Sequence, residues 1–538
     1  IKMLVYILVI VAVFIILTFI NKHKLDKILL MASTMIYGSA AIIQDNKFYF
    51  SIGACIIMGA VTVYCVGDWL RFKLKKLPTI AIIAILGILF TLFTGLLTSF
   101  KYLQHWAPCY DFGIFSQMFN YMKETLQPLT TCERDGLLSH FAVHFSPIYY
   151  LLLPFFFIFP SPVTLLMGQA AIIASGLIPL YLICKRHKLS NAAVILFSLC
   201  YVLLPSMANG CFFFLHENKF LTPLILWLAF ALEKNKWIPS VIFTLLLLAV
   251  KEDAPVYAAV LGLYFIVSRR NISKGALVFV LSIIYFITVS YFMSKYGLGT
   301  MSYRYDNFIY DGSGSLFTVI KAVILNPIYT VHEAFDEEKI KFILQMLVPL
   351  AFMPLMIKKP SRIILLIPFI LLNLMSDYTY QHNINFQYTY GSAAFLFYLM
   401  ILNYQDMKPG FRCKVLAVAA TSSIFMFMCN TYYRTSGYES YKTDKNSGAI
   451  DIIDDALELV PDDSSVAATT FLVASLYDHR EVYEFESTNH RDEVEYIVLD
   501  LRISSDDFSV DDYLNNPIYE TVENKPGYIA IFRNTTVE

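Results

Sequence analysis

The chain reads as mainly α: a polytopic bundle of about 14 transmembrane helices, followed by a soluble α/β domain outside the cytoplasm. Three observations predict this. Of 538 residues, 57% are hydrophobic and only 15% are charged, a composition that a water-soluble domain cannot bury. Apolar stretches long enough to cross a hydrocarbon core recur from the N-terminus to about residue 430. Beyond them the charge balance changes. Residues 435–538 carry 23 Asp and Glu against 7 Lys and Arg, which is -16 and leaves +15 for the rest of a chain of net charge -1. A solvated acidic tail behind a basic membrane body argues against nucleic acid as a partner.

The first apolar run, Leu4–Ile20, has no small-residue cleavage site before Lys22, Lys24 and Lys27, so it is expected to be a retained span and not a signal peptide. Spans near 3–20, 28–43 and 49–66 form an N-terminal set, residues 1–78. The main transmembrane domain, residues 79–433, is expected to hold spans near 79–99, 163–183, 192–207, 220–232, 238–250, 254–268, 275–293, 342–357, 362–375, 391–403 and 413–430. Ile148–Phe159 is apolar but short and bracketed by Pro147, Pro154, Pro160 and Pro162, which suits a re-entrant or interfacial segment better than a full span.

With that parity, loops 21–27, 67–78, 184–191, 233–237, 269–274, 358–362 and 404–414 hold 21 Lys and Arg in 54 residues, against 11 in the longer opposite loops. The positive-inside rule places the first set in the cytoplasm and both termini outside. The cytoplasmic loops are too short to hold a site. Two outer loops, 100–146 and 294–341, are long enough to carry one.

The tail, residues 440–538, is expected to fold as a compact extracytoplasmic unit. Ile450–Leu459 has helical spacing, Ser465–Thr470 and Tyr496–Leu501 read as strands, and Ile518–Thr521 with Tyr528–Phe532 suggest a hairpin around Asn524–Gly527. Nine cysteines show no metal-ligand spacing. Cys109 and Cys132 share one outer loop, where two free thiols or a disulfide both fit.

Chemistry concentrates in the outer loops. In loop 100–146, Asp111 stands among aromatics; partly desolvated, its carboxylate is expected to act as a base with a pKa shifted toward neutrality, or else to cap the helix that starts at Phe112. Lys251, Glu252 and Asp253 form a three-residue outer turn in which Lys251 could meet a phosphate or simply pair with its neighbours. Arg304 lies in the Tyr-rich stretch Tyr303–Tyr310, which fits a phosphate ligand or an interfacial aromatic belt. His216 and Glu217 could orient a sugar hydroxyl or stay solvated. Loop 376–390, with Asp377, Tyr378, Tyr380, His382, Asn383, Gln387 and Tyr388, suits carbohydrate stacking. No glycine-rich phosphate loop, internal repeat or inverted half-repeat is present.

Tyr110–Gln117 (YDFGIFSQ), His144–Pro147 (HFSP), His216 with Glu217, and Lys251–Asp253 (KED) resemble the motifs of a bacterial membrane-protein family of unknown function grouped with the GT-C glycosyltransferases. The resemblance covers roughly residues 80–535. It implies a GT-C-like bundle with a first large outer loop bearing an essential acidic residue, and transfer of a sugar from a polyprenyl-phosphate donor to an extracytoplasmic acceptor. The partners implied are that lipid-linked sugar, membrane lipid, and a glycan, lipid or protein acceptor that the sequence does not name. By position, Asp111 would be the catalytic base, and Lys251, Arg304, His144, His216, Glu217, Glu252 and Gln117 would bind the substrate or its lipid phosphate. No cofactor is implied. Glu133, Arg134 and Asp135 imitate a metal-binding acidic pair but match no motif position, so no metal is expected. The rival reading is a non-enzymatic lipid or polysaccharide transporter, or an assembly scaffold; a transporter should place charges in mid-span, and here they gather at one face.

Overall fold

The computed structural model describes residues 2–20, 26–44, 47–66, 75–299, 302–309, 316–503 and 508–537. Residues 21–25 and 67–74 of the two first basic loops lie outside the described residues, as does Tyr310.

The chain is mainly helical and ends in a small sheet. Four long helices open it: α1 (Lys2–Ile20), α2 (Asp26–Gln44), α3 (Phe48–Cys65) and α4 (Lys76–Leu103). Seven helical runs among the described residues are long and apolar enough to cross a membrane: α2, α3, α4, Pro162–Arg186, Asn191–Phe212, Ile272–Tyr296 and Pro409–Asn446. Their outward faces carry exposed Leu and Ile, such as Ile57, Ile88, Leu89 and Ile287, as suits helices that face lipid.

The other expected spans take different forms. Trp237–Leu248 and Ala254–Val267 are helices of 12 and 14 residues, about 20 Å long. Of residues 342–375, read from the sequence as two spans, the first part folds as the end of a helix (Glu337–Leu347) and a 3-10 turn, and the second as a continuous apolar helical run, Pro360–Leu374, that passes from 3-10 to π form. Pro349, Pro354, Pro360 and Pro368 remove amide donors there, and Ala351 and Phe352 turn into the left-handed region. Ile148–Phe159 is a 3-10 turn followed by the six-residue helix Leu153–Ile158, far short of a span. Run 162–186 breaks at Gly176, where a side chain would collide with the Tyr201 hydroxyl; that hydroxyl donates to the Ile173 carbonyl at 2.7 Å.

After α4 the chain forms loop 100–146, with helix α5 (Ile114–Thr125) and a short antiparallel pair, β1 (Leu129–Thr130) and β2 (Leu138–Ser139). The C-terminal sheet has the order β4–β3–β5–β7–β6. Here β3 (Ser465–Ala468) runs parallel to β4 (Glu481–Glu484) and to β5 (Tyr496–Asp500). Strand β7 (Ile529–Asn534) is antiparallel to β5 and forms the expected hairpin with β6 (Tyr519–Lys525). The expected helix is present as Ala449–Leu457 and buries Ile450, Ile453 and Leu457.

The sheet is built onto the loop. Its apolar core, with Ile453, Val466, Val498 and Ile531, takes in Cys109, Ile114 and Cys132 from the loop. Thr131 exchanges two hydrogen bonds with the Val482 backbone, at 2.6 and 3.1 Å. Arg502 donates to the carbonyls of Gln104 and His105 at 2.7 and 2.6 Å, pairs with Asp500, and lies over the Trp106 ring. Packing of this kind fixes the first turn of the loop, which carries Asp111.

Candidate functional site

Asp111 occupies an unusual turn. Its backbone has φ 77° and ψ -66°, the region of the γ-turn that is costly for any residue with a side chain. The turn closes with the Gly113 amide donating to the Pro108 carbonyl, after which α5 begins without a side-chain cap. The capping reading of Asp111 is therefore not the one the structure adopts. Its carboxylate turns instead to His216, with Oδ1 3.1 Å from Nε2, while a third of the side chain stays exposed.

His216 is buried and receives Lys219 on its other nitrogen, Nζ to Nδ1 at 3.4 Å. Lys219 also donates to the Phe214 carbonyl at 2.7 Å, and its side chain is fully buried. Burial pulls the Lys219 ammonium down to about 8, so it stays charged at neutral pH. Burial also lowers His216, more than Asp111 raises it, so the imidazole is neutral. A charged Lys219 donating to Nδ1 leaves the His216 proton on Nε2, facing Asp111. Burial raises Asp111, but His216 and Lys219 outweigh it and hold the carboxyl below its usual value. The expected shift toward neutrality is thus reversed, because the sequence did not reveal two donors behind the carboxylate.

A second pair lies beside the first. Glu217 is buried, with Oε1 2.7 Å from Lys251 Nζ, and its Oε2 accepts from the Tyr149 hydroxyl at 2.7 Å. Burial pushes Glu217 up, but Lys251, His144 and His216 hold it well below the carboxylate range. Glu252 accepts from His144 Nδ1 at 2.8 Å and from the Phe145 amide at 3.2 Å. Against the upward push of burial, His144 draws Glu252 down to about 2. Asp253 is the exception: burial raises it to about 6, and its Oδ1 has no hydrogen-bond partner.

The structure thus brings together Asp111, His216, Glu217, Lys251, Glu252 and His144. Arg304 stands to one side, stacked 4.6 and 5.1 Å from the Tyr378 and Tyr388 rings, and acts on Asp253 electrostatically. Gln117 is not brought to the cluster. It is spent in the joint between loop and sheet, bonding Thr130, Thr131 and Cys132. Cys109 and Cys132 are free thiols side by side in the same joint. Glu133 faces His140 at 2.9 Å, whereas Asp135 accepts from Asn489, so the two acidic groups diverge. Among the described residues no group of three or more His, Cys, Asp or Glu is arranged to hold a metal.

Loop 376–390 reaches the cluster through rings: Tyr380 and Phe213 each pack on Phe386 at 4.4 Å, and Phe213 stacks on His216 at 5.5 Å. Sequence reasoning missed Lys219, Tyr149 and the unpaired carboxyl of Asp253. Lys219 lies three residues after His216, one helical turn on, and that spacing was the available signal.

The chain belongs to the family described as "Predicted membrane protein (DUF2079)", whose model matches residues 104–529. No curated protein matches it.

Proposed function

Starting from membership in a membrane-protein family, we propose that the chain is a membrane glycosyltransferase that moves a sugar from a polyprenyl-phosphate donor to an extracytoplasmic acceptor. The observation that carries this reading is the Asp111 carboxylate, ionised, one-third exposed and set in a strained turn, with His216 Nε2 3.1 Å from it and Lys219 behind the imidazole. Strain of that kind persists only where the surroundings over-determine it, and it clusters at working sites. The motif resemblance to the GT-C glycosyltransferases and the positive-inside asymmetry support the same reading, with a bundle of about 14 spans and the cluster on the outer side.

In the proposed step the acceptor hydroxyl gives its proton to Asp111. Its oxygen bonds to the anomeric carbon, and the bond from that carbon to the phosphate oxygen breaks, its electron pair leaving with the lipid phosphate. A carboxylate below its usual pKa is a weak base. It suits a transfer in which the sugar–phosphate bond opens ahead of proton transfer, as in oxocarbenium-like chemistry. The proton-bearing Nε2 of His216 keeps Asp111 ionised and aimed. The buried pairs Glu217–Lys251 and Glu252–His144 hold the floor of the site.

The test uses membrane vesicles containing the protein and a polyprenyl-phosphate-linked sugar labelled in the sugar. Label should leave the lipid in a protein-dependent manner and appear on an acceptor. Label that crosses the membrane still attached to its lipid would favour the transporter reading.

A further inference from the structure

Away from the Asp111 cluster, two cavities join along α4. One is a groove of about 950 Å³ lined by Ile43, Leu89, Leu92, Phe93 and Leu96, with Tyr438 and Glu439 at its polar end. Its Leu89, Leu92 and Leu96 are exposed, on a helix long enough to cross a membrane. The other is a pocket of about 310 Å³ at the outer end of the same helix, which shares Leu97, Tyr433 and Ser436 with the groove and adds Lys101, Arg434, Gln104 and Ser440. From Leu89 to Lys101 the helix rises roughly 18 Å, so the groove descends along the helix and the cations stand at its mouth.

The nearest carboxylate along these cavities, Glu439, lines the groove and not the cation pocket. Among the described residues neither Lys101 nor Arg434 makes an ion pair, and Arg434 Nε is buried without a hydrogen-bond partner. Each is held by rings: Lys101 lies 5.0 Å from the Phe214 centroid, and Arg434 5.4 Å from Phe212 and 4.7 Å from Tyr433. Two like charges in one pocket repel and are retained at a cost unless an anion joins them. Lys251, by contrast, is already neutralised by Glu217 at 2.7 Å.

We propose that a lipid with a phosphate head group occupies this site, its chain in the α4 groove and its phosphate between Lys101 and Arg434. Apolar lining along the span and unpaired cations at its outer end match the two halves of such a molecule. The pocket is coupled to the Asp111 turn, because Phe214 under Lys101 stacks on Phe112 at 5.0 Å and 19°. This deepens the transfer reading by naming where the donor's phosphate is held, and it rests on that reading only for the identity of the lipid.

The experiment is lipid retention by the full-length protein in native mass spectrometry, with dioleoyl phosphatidate as probe and dioleoylglycerol as the neutral comparison. Wild type should retain phosphatidate over dioleoylglycerol, and Lys101→Gln or Arg434→Gln should each weaken retention roughly fivefold. Lys101→Arg should restore it, and Lys295→Gln, an exposed cation elsewhere, should change nothing. The Lys101 series decides alone if Arg434→Gln does not fold. Equal retention of the two lipids, or a Lys101→Gln protein that holds phosphatidate as wild type does, overturns the site; displacement by millimolar inorganic phosphate assigns the pocket to free phosphate and overturns the lipid. Retention as expected from a protein with no transfer activity leaves the site standing and removes the transfer reading.

Discussion

His216 Nε2 lies 3.1 Å from Asp111 Oδ1, and Lys219 Nζ lies 3.4 Å from the other ring nitrogen. This order fixes the tautomer, since a charged ammonium can only donate. His216→Gln keeps a donor but loses the link to Lys219. It should slow transfer by about 10- to 100-fold, a partial loss typical of a positioning group. The pH profile should move with it: Asp111, no longer held down by His216, should titrate at higher pH, so the acid limb of the rate shifts toward neutrality.

The pair Glu217–Lys251 is buried, and removing one partner strands the other. Glu217→Gln should destabilise the protein by about 3–5 kcal/mol. Glu217→Gln with Lys251→Met should recover much of that loss, because the double variant leaves no unpaired charge. Thermal midpoints in one detergent give the comparison. Equal loss in the single and double variants would mean that the two side chains are not coupled.

Asp253 supplies a pH dependence of definite sign. Its folded pKa, about 6, is raised above the ordinary carboxyl value by burial. Its contribution to stability is therefore fully present below the unfolded pKa and is lost as pH rises through about 6. Asp253→Asn should raise the thermal midpoint at pH 8 and leave it nearly unchanged at pH 4. A variant that is destabilised at pH 8 would show that the carboxylate is needed ionised.

Arg502 ties the sheet to the loop by two carbonyls and the Trp106 ring. Arg502→Ala should cost about 2–4 kcal/mol and speed proteolytic release of the C-terminal domain. Residues 440–538 expressed alone would expose the surface that covers Cys109, Ile114 and Cys132. The isolated domain should bind a hydrophobic dye, and should lose that binding when a peptide spanning residues 104–139 is added. Limited proteolysis and dye fluorescence test the two halves of this statement.

What could be read from sequence followed physical pattern. Long apolar runs without proline gave α2, α3 and α4 nearly to their ends, and alternation gave β5 and the β6–β7 hairpin. Residues 342–357 misled because they are apolar enough for a span, while Pro349 and Pro354 break the helix there; the run expected at 362–375 is present as the continuous apolar helix Pro360–Leu374, shorter than a full span. Strand β4, Glu-Val-Tyr-Glu, escaped notice because charges at its ends read as loop, yet Val482 and Tyr483 are both buried. At the site, the motifs located Asp111, His216, Glu217, Lys251 and Glu252, but not who faces whom. Lys219 belongs to none of these motifs, and only its spacing from His216 marks it. Only the fold reveals that its ammonium is buried behind His216.

The most direct test is the rate of sugar release from the lipid-linked donor by Asp111→Asn, measured beside wild type in the same vesicles. The amide keeps the shape and still faces His216 but cannot accept the acceptor's proton. Transfer should fall by about 100- to 10,000-fold, with phosphatidate retention and thermal midpoint unchanged. An Asp111→Asn protein that transfers sugar at the wild-type rate would contradict the assignment of Asp111 as the base.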